Sequence, residues 1–187
     1  MSLSLITCGF ATLQRLEMQA DLRFHNRMKQ ADLRRFEIDD REWVLEQHAF
    51  HYARDEGFDA SFGVLVGKVL DGFLTTNDPV KERGWIAHSG STRLGSIFCS
   101  HIDDQTAQLR IFFLMPEARG RGLGKRLLRT CTDHARDHGY QQMRLWTHES
   151  HRAACALYLA TGWQLEDSTP QQSFGQNVIV QNWRFTL

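Results

Sequence analysis

The amino-acid sequence predicts one mixed α/β domain, of the α+β kind, with a mostly antiparallel sheet flanked by helices. Three observations carry this expectation. Strand-like segments at 84–88, 93–102 and 107–114 are separated by the turn pairs Gly90-Ser91 and Asp103-Asp104, the mark of an antiparallel meander. Phe62, Leu65, Val66, Val69, Leu70 and Phe73 follow the i, i+3, i+4, i+7 spacing of a helix with one buried face. A glycine-rich turn then joins an apolar strand to an amphipathic helix and opens a strand–helix–strand–helix–strand series.

Taken in order, residues 1–30 read as an N-terminal arm or helix of weak definition, and 31–187 as the folded domain. A short strand is expected over 33–38. Asp39 and Asp40 then offer an N-cap to a helix ending at Glu56, where Gly57 can close it in the left-handed conformation. Asp59 caps the next helix, and Asn77, Asp78 and Pro79 end it. After the meander, a helix over 122–139 buries Leu123, Leu127, Leu128, Cys131 and Ala135. A strand over 143–147, a short helix over 150–161 and closing strands over 163–166 and 178–185 complete the chain.

The bulk numbers exclude several classes. At 187 residues the chain can bury roughly 70% of its unfolded surface without staples. Twenty-two basic residues balance 22 acidic ones, which argues against nucleic acid or an anionic membrane as partner, since both demand a basic excess. No run of 18 apolar residues exists and the start lacks a signal peptide's charged and apolar regions, so a cytoplasmic protein is expected. Cys8, Cys99, Cys131 and Cys155 are scattered, which suits reduced thiols. His134 and His138 have metal-ligand spacing on a helix, but near its C-terminal end they read as a solvated face. No metal is expected.

The informative segment is the turn Arg119-Gly120-Arg121-Gly122-Leu123-Gly124-Lys125. Glycines let backbone N–H groups point one way, and the following helix N-terminus adds partial positive charge. With Arg119, Arg121 and Lys125 nearby, the turn suits a phosphate or pyrophosphate. A dinucleotide fingerprint fails because its third glycine would come one residue later than Gly124. A P-loop fails because three residues, not four, separate Gly120 from Gly124, and Arg126 follows Lys125.

What fits is R/Q-x-x-G-x-G/A, filled by Arg119, Gly122 and Gly124. Trp85-Ile86-Ala87, the strand over 109–114, Leu145-Trp146-Thr147, the segment Leu157-Tyr158-Leu159-Ala160-Thr161-Gly162-Trp163 and Ser173-Phe174-Gly175 accompany it in order. By these the chain resembles the GNAT superfamily of acetyl-coenzyme A-dependent N-acyltransferases. In particular it is similar to the acetyltransferase half of bacterial winged-helix regulator fusions, over roughly residues 36–187, with no room upstream for the winged helix. The resemblance implies that the glycine turn binds the coenzyme A pyrophosphate and that Leu114 and Met115 pair with pantetheine through their main chain. It implies acetyl-CoA as cosubstrate and a primary amine as acceptor. A homodimer is compatible with it.

The resemblance also makes Tyr158, four residues before Gly162, the general acid for the departing sulfur. A thiol of pKa about 8.5 leaves readily, so Tyr158 assists rather than being indispensable. His151 stands where the superfamily often has Asn, which puts one pantetheine contact in question. For the base, Glu149, His148, Glu56, Tyr52 and a water chain all remain candidates. The alternative to an enzyme is a catalytically weak acetyl-CoA-binding sensor or interaction module.

Overall fold

The computed structural model describes residues 31–76 and 78–187. The expected arm at 1–30, with Cys8, lies outside the described residues. The elements are β1 (Asp32–Arg35), α1 (Arg41–Glu56), α2 (Ala60–Thr76), β2 (Arg83–Ser89), β3 (Thr92–His101) and β4 (Thr106–Leu114). There follow α3 (Leu123–Asp137), β5 (Gln142–His148), α4 (Arg152–Ala160), β6 (Gln164–Ser173) and β7 (Gln176–Thr186), with single 3-10 turns at Ile38–Asp40 and Pro116–Ala118. The expected α+β class is what the chain adopts.

The seven strands form one sheet in the order β1-β2-β3-β4-β5-β7-β6. Every pair is antiparallel except β4 with β5. That parallel pair needs a crossover, which α3 provides. Strand alternation sends neighbours to opposite faces. Trp85, Ala87, Ile97 and Cys99 join the core under α3, with Leu127, Leu128 and Cys131. Ile86 and Phe98 join Val44, Phe62, Val66 and Leu70 under α1 and α2.

The parallel pair is short. Thr106, Ala107 and Gln108 face Gln142, Met143 and Arg144, and beyond them β4 and β5 part. The β3–β4 register slips between Ser96 and Phe98, and Ile111 sits at φ 49. Ser96 Oγ holds that kink by donating to Ile111 O (2.8 Å). A bulge of this kind bends its strand, which turns β4 away from β5 and opens the sheet.

Two local expectations are corrected. Asp40 occupies the N-cap position of α1, but its carboxylate makes no capping bond to that helix. It is 1% exposed and accepts from Arg34 Nη1 and Nη2 and Arg93 Nε, all at 2.6 Å, and from the Glu37 N–H at 3.0 Å. A buried carboxylate satisfied by two guanidinium groups outcompetes capping of a helix end. The closing hairpin is also longer than expected. β6 is polar and mostly exposed, so no hydrophobic pattern marks it, and its pairing with β7 alone defines it; Pro170 is tolerated because the strand is at the sheet edge. Gly57 does close α1 in the left-handed conformation, at φ 71, and the Asp59 carboxylate accepts the Ser61 N–H at the start of α2 (2.9 Å).

Candidate active site

Where β4 and β5 diverge, a groove of about 660 Å³ crosses the molecule. One end is the glycine turn. Gly120 and Gly122 have φ of 72 and 79, a region side chains avoid, and the space beside each is open. Gly122 takes the N-cap position of α3, so the first N–H groups of that helix, which have no intrahelical partners, are presented there. Arg119 Nε donates to Leu114 O (3.1 Å), tying the turn to the end of β4. Gly124 lets α3 approach closely: a Cβ there would stand 3.1 Å from Leu114 Cδ1 and 3.3 Å from Leu157 Cδ2.

Of the residues singled out in sequence, Leu114, Arg119, Gly120, Gly122, Gly124, Lys125 and Tyr158 line this groove. Met115, Arg121 and Leu123 do not. The Met115 N–H donates to Leu94 O (2.9 Å) and its side chain packs on the core. Leu123 is a buried core residue, and Arg121 lies half-buried in the turn.

The far end of the groove meets a second cavity, of about 100 Å³, reaching between β4, β5, α1 and α2. Tyr52, Phe112, Thr147, His151 and Tyr158 line both spaces and form the seam between them. Tyr158 is 3% exposed, with its ring 5.8 Å from those of Trp163 and Trp183. Burial first, then Tyr52, pushes its pKa well above the ordinary 10, so the hydroxyl holds a proton it can donate. Burial, then Glu56, raises Tyr52 to about 12.

His151 bridges the seam. Its Nδ1 lies 3.1 Å from Thr147 Oγ1 and its Nε2 3.6 Å from Glu56 Oε1. Burial, then the charge of Arg119, lowers its pKa to about 4, so it is neutral near pH 7. His48 and His148 are also lowered to about 4, chiefly by burial. His48 Nδ1 is 2.8 Å from Val44 O, which fixes its proton on that nitrogen. The His148 imidazole is 1% exposed, and neither ring nitrogen has a hydrogen-bond partner among the described residues.

Among the candidate bases, Glu56 and Tyr52 line the groove and His148 the inner pocket, while Glu149 lines neither. His151 and Thr147 stand in the sequence motifs, but their meeting with Glu56 comes only through the fold, because nothing local in sequence pairs them with it. Arg110 lines the inner pocket and did have a signal: it is a lone charge in the apolar strand Leu109-Arg110-Ile111-Phe112-Phe113-Leu114. The His134–His138 pair is no simple solvated face. His134 is buried edge-on to Trp85, its Nε2 3.1 Å from Lys81 O, and His138 Nδ1 is 2.8 Å from His134 O. Among the described residues no cluster of His, Cys, Asp or Glu is disposed to hold a metal ion, and no helix is long and apolar enough to cross a membrane.

The sheet is thus split at its parallel pair, with a glycine turn at the mouth of the split and a buried tyrosine within it. The pattern of the acetyltransferase (GNAT) family matches residues 31–163, and the chain belongs to that family. It is 32% identical over 105 residues to N-acetyltransferase 8F1 of Rattus norvegicus, covering 54% of this chain and 44% of that one. With N-acetyltransferase 8 of Homo sapiens it shares 34% identity over 97 residues, 48% of this chain and 43% of the other. The chain thus matches less than half the length of these relatives. The fold is similar to spermidine N-acetyltransferase of Vibrio cholerae, solved with CoA and spermine (TM-score 0.65, 16% identity, 84% of this chain and 95% of that one). It is likewise similar to a GCN5-related N-acetyltransferase of Kribbella flavida (TM-score 0.66, 19% identity, 84% and 98%).

Proposed function

We propose that the chain transfers the acetyl group of acetyl-CoA to a primary amine of a small molecule or peptide by direct attack. The observation that carries this is the continuity of the groove, from the glycine turn to the Tyr158 seam, with a separate pocket opening at that seam. The site fits coenzyme A: the left-handed Gly120 and Gly122 leave open space, and Arg119, Lys125 and the N-terminus of α3 offer donors to a pyrophosphate. Leu114 borders the path to the seam, Arg121 and Leu123 would act through the shape of the turn, and the Met115 N–H, held by Leu94 O, is not free to pair with pantetheine.

In this reading the amine nitrogen attacks the thioester carbon from the pocket side, a C–N bond forms and the C–S bond breaks. The Tyr158 hydroxyl supplies a proton to the leaving sulfur and is restored by the proton that the nitrogen sheds as the amide forms. The ammonium proton must leave first, at a cost of roughly 4–5 kcal/mol for a lysine-like amine at neutral pH. Glu56, whose Oε1 lies 3.6 Å from His151 Nε2 at the seam, is a carboxylate placed to take it. With this go a cytoplasmic enzyme, monomeric or homodimeric, without nucleic acid or membrane as partner, and kinship with the acetyltransferase half of the winged-helix fusions.

The test is calorimetric titration with acetyl-CoA in the presence of a chelator, followed by thiol release with a panel of amines. Micromolar binding is expected, since charge-assisted bonds contribute about 1.5–3 kcal/mol each. Absence of binding overturns the coenzyme site. Binding without thioester consumption by any amine favours the sensor alternative.

A further inference from the structure

Two polar residues line the inner pocket with no hydrogen-bond partner among the described residues. Arg110, half-buried on β4, makes no hydrogen bond or ion pair with any described residue. Burial is the main influence on its guanidinium and pushes its pKa down, with the charge of Glu82 opposing. His148, on β5, is almost fully buried with both ring nitrogens unsatisfied. A buried polar group without a partner is costly, and a partly buried guanidinium with no carboxylate in contact is costly too. Their presence in one cavity points to a ligand that supplies what the protein withholds.

The charge inventory says what that ligand carries. Among the described residues no Asp or Glu lines the inner pocket, and Arg110 is the one charged residue that does; Asp55 and Glu56 line the outer groove. A polyamine would bring cationic nitrogens to a guanidinium and find no carboxylate to receive them. An anion reverses the balance. The planar guanidinium fork matches a carboxylate through two parallel bonds, and a neutral imidazole can donate one more. Phe62, Val66, Val69 and Trp146 complete the wall, so the space between the anion and the seam is apolar.

We infer that the acceptor is an amino carboxylate with an aliphatic body: Arg110 and His148 bind its carboxylate, and the amine reaches the seam beside Tyr158 and Glu56. This rests on the acetyl-transfer reading above and names the substrate class for it. Both α-amino acids and longer ω-amino acids present the required chemistry.

The experiment compares L-leucine with L-leucinamide, and δ-aminovalerate with n-butylamine, by thiol release from acetyl-CoA. In parallel, the melting shift each compound produces is measured on the CoA-bound protein. The carboxylate member of at least one pair is expected to have the higher kcat/KM, by about tenfold or more, and which pair responds separates the α- from the ω-class. Arg110→Met should collapse that ratio toward unity, and Arg110→Lys should retain part of it, guarding against loss through misfolding. Equal or better turnover of the neutral members overturns the inference and leaves acetyl transfer standing. A melting shift with the carboxylates alone, lost in Arg110→Met, without turnover of any compound, supports the anion site and overturns transfer. No turnover and no shift with any of the four overturns the inference.

Discussion

Glu56 Oε1 lies 3.6 Å from His151 Nε2, joining the end of α1 to the loop before α4 exactly where groove and pocket meet. With His151 Nδ1 3.1 Å from Thr147 Oγ1, a hydroxyl, an imidazole and a carboxylate stand in a row. Thr147 donating to Nδ1 would leave the His151 N–H on Nε2, facing Glu56. Replacing Glu56 by Gln should lower kcat by about 10²-fold, the low end for a general base. The acetyl-CoA dissociation constant should stay within a few-fold. Unchanged kcat would remove the carboxylate from the proton path.

Tyr158→Phe should lower kcat by up to about 10²-fold without weakening coenzyme binding, because the hydroxyl acts mainly as the C–S bond breaks. Turnover by thiol release and stability by thermal melt belong on one preparation. A fallen melting temperature with intact per-molecule activity would make Tyr158 structural.

Gly122→Val should abolish acetyl-CoA binding while leaving a folded protein. Its φ of 79 is strained for Val, by about 1–3 kcal/mol, and the added side chain projects into open space rather than into the core. Calorimetry and circular dichroism together check this. A variant that binds normally would show that the turn tolerates a side chain at that position.

Stability should fall as pH drops from about 6.5 toward 4. His48, His134, His148 and His151 are all lowered to about 4, mainly by burial. In that window the unfolded chain binds protons that the folded chain refuses, so each such histidine contributes a loss of up to about 1.4 kcal/mol per pH unit. Above the unfolded value of about 6.5 the contribution vanishes. Asp40, lowered to about 2 by the Arg34, Glu37 and Arg93 bonds against the opposing effect of burial, adds nothing in this range until its unfolded pKa is approached. Urea unfolding at several pH values tests this, and a flat profile from 7 to 5 contradicts it.

Asp40→Asn should destabilise the fold by about 2–4 kcal/mol, below the largest values for buried ion pairs because Arg34 and Arg93 are about one-third exposed and can rehydrate. The loss should appear in the urea midpoint. A change under about 0.5 kcal/mol would mean that the cluster contributes little.

The sequence by itself determined the class of fold, the meander, the helix periods and the glycine turn. Each is written in neighbouring residues: alternation in strands, i, i+4 recurrence in α2, and three glycines in five residues before α3. It also marked Tyr158, through a motif of adjacent residues. The long β6–β7 hairpin stayed hidden because β6 carries no apolar pattern and exists by pairing with β7. Asp40 read as a helix cap because Arg93, the partner that claims it, is 53 residues away. Only the tertiary structure decided the inner pocket. His48, Arg110, His148 and His151 come from a helix, two strands and a loop, and the bulge at Ile111 parts those strands. Local propensity acts over a few residues, whereas burial and charge compensation act between whatever side chains the fold brings within a few ångströms of one another.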